Sequence, residues 1–341
     1  MSNVFHILSE ETFSDKFSRL INVLDVISKS EALTNNKIFK IDSWTTVQSI
    51  IRRGLVHDYF SVGDQLQSYH KTYGTGADKL LTWDIVAIDH DVPVATKVEN
   101  GEVLIDYDTN GKPKYPVDSA GQSLTHSMTL QLHSCIPTRA WHRSDGNNWK
   151  DSDIRAWLNT DGIITDYSQD AGFLYNFDPD LLDVIGYVAK TTIRSDSSGG
   201  KALLLPERIF LPSKCEVFAG FENDYAEGAL ILTTDTEKKA DKFYCTLDST
   251  TGIITKVNTP VGQTDPVYEV KQWYKYYGAP NSDLPSPSTA KDTRRIKNDY
   301  WWTRSPQFNV TYGANIVGSL GDLYTYSITY KYGVAPACVI F

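Results

Sequence analysis

The sequence predicts an α+β fold, and three observations lead to that prediction. Helical patterns are few, one of them is inserted between segments that read as strands, and loop-like sequence exceeds regular structure. The chain has 341 residues, which is long for one domain and sufficient for two. Since long ordered loops on a small sheet usually carry function, the loops are where we expect a site.

The first region, residues 1–42, contains a short helical pattern. Apolar residues recur there at alternating spacings of four and three, an a/d stripe over two heptads: Phe13, Phe17, Leu20, Leu24 and Ile27. A helix this short is marginally stable alone, so it needs a surface to pack on. Docking on the parent chain and association with copies of itself are both compatible with the pattern. We therefore predict that residues 1–42 form an N-terminal helix for attachment or oligomerisation.

Residues 43–78 are predicted to be a connector made of a helix and a strand. Ser43 can cap the helix, "WTTVQSIIRR" can form it, and Gly54 can end it. The following "DYFSVGDQLQSYH" reads as a strand with a Gly-Asp turn. Together with residues 1–42, this connector forms the predicted mounting segment of the protein.

Residues 79–341 are predicted to form the main domain. "KLLTWDIVAIDHD" is apolar on both faces, which is typical of a central strand, and the Asn-Gly pair at 100–101 predicts a hairpin. "DSDIRAWLNT" predicts a short helix, and "DPVYEVKQWYKYYG" predicts a helix ending at Gly278. Residues 300–341 read as strands separated by glycines.

Composition excludes several classes of function. The net charge of −9 argues against nucleic-acid binding and against binding to anionic membranes, because both need clustered Lys and Arg. No apolar run is long enough to span a membrane, and the N-terminus lacks the pattern of a signal peptide. These features predict a protein made and folded in a cytoplasm, with no nucleic-acid or membrane partner.

Motifs for catalysis or metal binding are missing from the sequence. We find no Gly-rich phosphate loop, no nucleophile elbow and no zinc-binding helix, and the seven His residues do not cluster with Cys at zinc spacing. Cys135, Cys215, Cys245 and Cys338 are far apart, so buried free thiols are expected, with one disulfide possible outside a cell. The sequence therefore predicts a protein that is not an enzyme and has no cofactor and no metal.

The stretch "YWWTRSP" at 300–306 packs scarce, bulky side chains around an arginine. In an extended segment, Trp301 and Trp302 should point in opposite directions, one into the core and one outward. Arg304 can lie over an indole, a contact worth roughly 0.5–2 kcal/mol, and its guanidinium can bind loop carbonyls. We call these residues and Trp157 of the predicted helix a structural staple, because their contacts would fix the surrounding loops. This structural role accounts for the motif without a ligand.

Four short motifs in fixed order carry a resemblance to a known family. They are "WLN" at 157–159, "FLPS" at 210–213, "WWTRSP" at 301–306 and "GVAPA" at 333–337. The sequence over about 79–341 resembles a phage and gut-bacterial domain family of unknown function, whose members close with "GVRPA". Ala335 stands where that family usually has Arg, so a salt bridge from that position is missing.

The resemblance implies a C-type-lectin-like domain with a small twisted antiparallel sheet, short helices and long ordered loops. It is akin to the phage major tropism determinant and the formylglycine-generating enzymes. In several such proteins the segment that matches 307–332 is a ligand-binding face. This segment is rich in Tyr, Asn, Ser and Thr, a mixture that antibody paratopes also use. The predicted ligand-binding residues are Phe308, Asn309, Thr311, Tyr312, Asn315, Tyr324, Tyr326 and Tyr330. The three strand tyrosines could equally face the core.

The function predicted from these features is that of a phage virion protein, associated with a tail or fibre. It would bind a glycan or a protein on the surface of a gut bacterium, act as a homo-oligomer such as a trimer, and contact other virion proteins. One alternative is a structural virion component, such as a head decoration or baseplate part, without receptor binding. Another is a formylglycine-like oxidase, which would need a reactive cysteine pair that the sequence does not indicate.

Overall fold

The computed structural model describes most of the chain. The described residues are 4–7, 37–164, 167, 170–193, 201–218, 227–231, 243–257, 268–272, 274–277, 294–307 and 310–341. The helix predicted over 13–27 lies outside them, as do the predicted contact residues Phe308 and Asn309.

Strands are the commonest regular structure among the described residues. In chain order the strands are β1 (Val4–Ile7), β2 (Ile38–Ile41), β3 (Gln65–Tyr69), β4 (Leu80–Ile88), β5 (Thr96–Glu99), β6 (Glu102–Ile105), β7 (Met128–Leu132), β8 (Ile136–Ala140), β9 (Ile163–Ile164), β10 (Asp170–Ala171), β11 (Val188–Ile193), β12 (Lys201–Glu207), β13 (Ile209–Phe210), β14 (Gly228–Ile231), β15 (Phe243–Asp248), β16 (Ile253–Lys256), β17 (Tyr268–Lys271), β18 (Trp301–Pro306), β19 (Gly313–Val317), β20 (Leu323–Ser327), β21 (Lys331–Val334) and β22 (Ala337–Ile340).

Five short α-helices lie among the described residues: α1 (Trp44–Arg52), α2 (Val56–Tyr59), α3 (Asp153–Leu158), α4 (Pro179–Val184) and α5 (Lys214–Val217). Two 3-10 turns cover Trp149–Asp151 and Lys275–Tyr277. None of the described helices has both the length and the apolar character needed to cross a membrane.

Local sequence signals explain where α1 and α4 begin. The Ser43 hydroxyl accepts the Thr46 amide at 3.3 Å and caps α1, as predicted. Asp178 caps α4 and also accepts the Trp44 indole N–H at 3.2 Å and the Tyr69 amide at 3.1 Å. One carboxylate therefore connects α1, β3 and α4.

A seven-stranded mixed sheet runs in the order β1-β2-β3-β4-β7-β22-β13. β4, the predicted central strand, pairs with β3 on one side and β7 on the other. The sheet combines strands from all three predicted regions, 1–42, 43–78 and 79–341. It thus runs across both predicted domain boundaries.

Six antiparallel strands close into a barrel in the order β11-β12-β16-β15-β17-β14. Alternate residues of its strands point inward, as a closed barrel requires, and Ala202, Leu204 and Ile254 are among those buried in its interior. The hairpin β5–β6 lies beside it. Its turn at Asn100-Gly101 has both residues at positive φ, 52° and 83°, so the Asn-Gly hairpin prediction is confirmed.

The α+β, C-type-lectin-like fold class predicted from the sequence is wrong. The described part of the chain is mainly β, with 42% of its residues in strands against 14% in helices, and it contains a closed six-stranded barrel. Where the structure describes the "DPVYEVKQWYKYYG" segment, the predicted helix is absent: Tyr268–Lys271 is a barrel strand, and Lys275–Tyr277 is a 3-10 turn. Barrel closure satisfies the backbone groups of this segment from strands distant in sequence, and such pairing overrides the helical spacing of its apolar residues.

Candidate functional site

A second sheet carries the motif segment near the end of the chain. Its order is β20-β19-β18-β21-β8, so β18, which holds Trp301 to Pro306, lies in the middle. β18 pairs antiparallel with β19 and parallel with β21, where Trp301 is opposite Gly333. A Cβ at Gly333 would lie 2.8 Å from the Cys135 side chain and the Tyr300 carbonyl, so only glycine fits there.

Both tryptophans of β18 are buried, so the prediction that one faces outward is wrong. The Trp301 indole donates to the Arg295 carbonyl at 2.9 Å, and the Trp302 indole donates to the Arg139 carbonyl at 2.8 Å. A central strand covered on both faces has no exposed side, which explains why strand alternation did not bring either ring to solvent.

Arg304 is fully buried and binds through its guanidinium. It forms an ion pair with Glu216 of α5 and donates to the carbonyls of Leu211 at 3.0 Å and Thr191 at 3.2 Å. The Leu211 carbonyl lies in a loop, as predicted, whereas the Thr191 carbonyl belongs to strand β11. The ring over which the guanidinium lies is Phe210, at 6.0 Å, rather than an indole, while Trp157 has Arg139 over it at 4.3 Å.

Glu216 is the centre of a buried charge network, which we define as Asp91, Lys190, Glu216, Tyr274 and Arg304. The ammonium of Lys190, on β11, donates to Glu216 at 2.6 Å and to the Tyr274 hydroxyl at 2.9 Å, and it also pairs with Asp91. Ser213 and Glu216 form a reciprocal capping box on α5. The network therefore joins the barrel, α5 and β18 inside the protein.

The charges in this network determine the pKa of each carboxylate. Burial by itself raises the pKa of Glu216, but the charges of Arg304 and Lys190 outweigh burial and hold the pKa below its ordinary value. Burial also raises the pKa of Asp91, but Lys190 and His90 outweigh burial and hold that pKa below its ordinary value. Both carboxylates are thus ionised at neutral pH. All five side chains of the network are buried, so it holds the fold together and presents nothing to solvent.

Five tyrosines lie on the outer side of the same sheet, and we define them as the tyrosine ladder: Tyr300, Tyr324, Tyr326, Tyr330 and Tyr332. Ring centroids of Tyr326 and Tyr332 are 5.1 Å apart, and those of Tyr326 and Tyr330 are 6.4 Å apart. Tyr300 contacts Tyr332 at 5.9 Å and Tyr324 at 6.3 Å. The ladder is thus a continuous aromatic surface built from three parts of the chain.

The ladder is anchored on one side and open on the other. Tyr332 packs edge to face on buried Trp302, with centroids 5.2 Å apart. Tyr324 is 42% exposed and Tyr330 is 56% exposed. Among the described residues, no side chain or carbonyl bonds the hydroxyls of Tyr326, Tyr330 and Tyr332, whereas the neighbouring Asp322 carboxylate raises the pKa of Tyr324. Fixed rings with open hydroxyls are well suited to contacting another molecule.

A turn between β20 and β21 fixes the position of the ladder. Ile328 is fully buried, its amide donates to the Tyr312 carbonyl at 2.9 Å, and its carbonyl accepts the amides of Trp141 at 2.8 Å and His142 at 3.0 Å. Residues 329–331 are exposed. The chain is therefore held at one residue and projects outward immediately afterwards.

The predicted contact residues separate into two groups. Tyr324, Tyr326 and Tyr330 lie together in the ladder, and Tyr312 and Thr311 are exposed on the β18–β19 loop. Asn315 is buried, and its amide donates to the carbonyls of Ser305 at 3.1 Å and Pro306 at 3.0 Å. Asn315 is therefore not on the surface where it was predicted, because β19 is an interior strand whose residues are all buried.

The sequence did not single out Tyr300 and Tyr332. Tyr300 directly precedes the two tryptophans, and Tyr332 follows Tyr330 by two residues, so period-two spacing was the one available signal. Their contact depends on the parallel pairing of β18 with β21, which joins segments about thirty residues apart.

All four cysteines lie within the described residues and are free. Burial raises the pKa of Cys135 to about 12, and it also raises the pKa of Cys215, Cys245 and Cys338. A nucleophilic thiol needs a lowered pKa instead. The oxidase alternative thus gains no support from these residues.

The fold and this surface define a β-rich protein with an aromatic outer face. Residues 126–341 match the sequence model of a protein family described as a domain of unknown function, DUF6273. The match covers more than half of the chain, so the protein belongs to the DUF6273 family, and the matched region contains the whole ladder. No curated protein and no solved structure matches the chain.

Proposed function

We propose that this protein is a binding module that recognises another protein through the tyrosine ladder. The observation that carries the proposal is the continuous contact of five rings with their outer edges and three hydroxyls open. Tyrosine is enriched at binding hot spots because one ring supplies apolar area and a polar tip at a low cost in conformational entropy.

Neighbouring rings make the ladder suitable for binding. Each tyrosine contacts at least one other ring, and Tyr332 also contacts the buried Trp302. Because packing already restricts these side chains, association orders them at less cost than it would for isolated surface residues. The ladder lies on the face of a sheet, which fits the broad surface of a protein better than a small ligand that needs a concave site.

We further propose the setting that the sequence motifs suggest, a virion protein of a phage that infects gut bacteria, with a surface protein of the host as the partner. Several copies on one particle would raise the strength of weak single contacts. The remaining alternatives are a structural virion role and a glycan partner, and both are outcomes of the test below.

The test measures adsorption of the labelled full chain to intact cells of a panel of gut bacteria. The variant Tyr324→Ala/Tyr330→Ala truncates the two most exposed rings of the ladder. Tyr69→Ala/Tyr175→Ala is the matched control, because these tyrosines are 42% and 45% exposed and lie outside the ladder. We expect the ladder variant to lose at least about tenfold in binding, and the control to bind normally.

Treating the cells with protease or with periodate before the adsorption assay distinguishes a protein partner from a glycan partner. Loss of binding after protease treatment supports a protein partner, whereas loss after periodate oxidation alone indicates a glycan and overturns that part of the proposal. Sedimentation of both variants tests self-association. If the unmodified protein binds no strain, or if the ladder variant changes the oligomeric state and leaves adsorption intact, the ladder is not a recognition surface.

A further inference from the structure

A cleft of about 660 Å³ lies on the other part of the molecule, beside the barrel. We call it the hairpin cleft. Its walls come from the hairpin β5–β6, helix α3, strand β12 and the turn at 249–252, and it contains none of the ladder residues. Its volume is in the range of about 300–1,000 Å³ that is usual for sites that bind small molecules.

Glu207 lies in this cleft and is 1% exposed. Its Oε1 accepts the Trp149 indole N–H at 2.9 Å and the Arg155 Nε at 2.8 Å. Its Oε2 has no hydrogen-bond partner among the described residues. Two donors thus fix the carboxylate through one oxygen and leave the other as a buried acceptor, an arrangement that a hydroxyl donor would complete.

Two tyrosines add open hydroxyls to the same cleft. Tyr107 and Tyr187 both line it, and no described residue bonds the hydroxyl of either one. Burial raises the pKa of Tyr107 to about 12, so this phenol stays protonated and can donate or accept. Leu203 and Leu104 supply apolar wall beside these rings.

The charges that line the cleft cancel. Four Lys or Arg side chains and four Asp or Glu side chains contribute to its walls, so the sum of formal charges is zero. Some of them pair directly, with Arg155 bound to Glu207 at 2.8 Å and Lys97 bound to Glu99 at 2.7 Å. Phosphorylated or strongly anionic ligands need a cationic site, so this balance favours a neutral ligand.

We propose that the hairpin cleft binds a neutral polyhydroxylated molecule, a mono- or disaccharide. Its hydroxyls would donate to Glu207 Oε2 and exchange hydrogen bonds with Tyr107 and Tyr187, while its C–H faces would pack on the tyrosine rings and leucines. This site is separate from the ladder and does not depend on the proposed recognition of a protein.

The test uses the purified full chain, saturation-transfer NMR and calorimetry. The probes are glucose, galactose, N-acetylglucosamine, maltose and lactose, with inorganic phosphate and adenosine monophosphate as charged probes. We expect at least one saccharide to bind with a Kd of about 10 mM or tighter, and neither charged probe to compete with it.

Glu207→Gln should weaken binding of that saccharide by about tenfold, because the amide oxygen stays with the Trp149 and Arg155 donors and an NH2 donor replaces the Oε2 acceptor. This change also disturbs the hydrogen bond of Arg155, so thermal unfolding is measured to verify that the variant is folded. Tyr187→Phe is a second variant, which removes a single hydroxyl. Tyr69→Phe, at a tyrosine outside the cleft, is the control and should bind normally.

Three results would overturn the proposal. They are the absence of binding by every saccharide, tighter binding of a charged probe than of any saccharide, and saccharide binding that neither Glu207→Gln nor Tyr187→Phe changes. Failure of this site leaves the ladder proposal standing, because the cell-adsorption test reports on other residues.

Discussion

The buried charge network and the tyrosine ladder meet at β18, which carries Arg304 of the network and Trp302, the side chain on which Tyr332 of the ladder packs. In the network, Arg304, Lys190 and Glu216 are buried and bound to one another or to carbonyls. In the ladder, the polar atoms are hydroxyls at the outer ends of rings that pack sideways on each other. The charged groups of the network thus bind one another within the fold, whereas three hydroxyls of the ladder have no partner among the described residues.

This difference indicates which residues of the motif segment stabilise the core and which support the proposed recognition surface. Trp302 and Arg304 are two positions apart, yet Trp302 supports the ladder through Tyr332 and Arg304 supports the core through Glu216. Variants of the network should therefore lower the free energy of unfolding, whereas variants of the ladder should change binding and leave stability nearly unaltered.

The largest effect is expected from breaking the network. Glu216→Ala leaves Arg304 and Lys190 buried without their shared carboxylate, so the free energy of unfolding should fall by about 3–5 kcal/mol. Urea unfolding followed by circular dichroism measures the change. The control is Arg143→Ala, which removes an exposed partner of Asp153 and should cost less than about 1 kcal/mol. Similar losses in both variants would mean that the network does not hold the fold.

Acid should weaken the network next. The pKa values of Glu216 and Asp91 are lowered in the fold, so their stabilisation is complete above their unfolded values of about 4 and is lost as the pH falls towards the folded values. Burial raises the pKa of Glu227, so its contribution has the opposite sign and is lost as the pH rises through the folded value.

The pKa is lowered for four described carboxylates (Asp84, Asp91, Glu216 and Asp248) and raised for one (Glu227), which predicts a net loss of stability in acid. Urea midpoints measured from neutral pH to below pH 4 should fall for the unmodified protein. They should fall less steeply for Glu216→Gln, which lacks one of the lowered groups. An unfolding free energy that does not change over this range would contradict the ionised state of the network.

The smallest effect on stability is expected from removing single tyrosine hydroxyls, one buried in the core and one in the tyrosine ladder. Tyr277 is buried and donates to Gln131 Oε1, so Tyr277→Phe leaves a buried acceptor without its donor and should cost about 1–3 kcal/mol. Tyr326→Phe removes a hydroxyl that no described residue bonds, and stability should change by less than about 0.5 kcal/mol. Equal losses would show that the ladder hydroxyls stabilise the fold to the same extent as those of the interior.

The sequence predicts the local parts of this structure well. The Ser43 cap, the Asn100-Gly101 turn and the short helix α3 depend on residues within a few positions of one another, and all three predictions are confirmed. Helix caps and tight turns depend on backbone conformation and hydrogen bonds among residues that are adjacent in the sequence.

The fold class and the network depend on distant residues, which explains why they were missed. The barrel closes by pairing Lys190 with Ala229 and Phe243 with Val270, and local spacing does not encode such pairs. Arg304 meets a carboxylate 88 residues away in the sequence. Part of the candidate surface was visible as alternating tyrosines, while Tyr300 and Tyr332 join it only through strand pairing.

The fixed position of Ile328 has a consequence for how this surface could change. Three backbone hydrogen bonds hold that residue, and the next three residues project into solvent from it. Replacing the side chains of Thr329, Tyr330 and Lys331 leaves these three backbone hydrogen bonds in place, so a library randomised at the three sites should stay folded while its exposed surface varies.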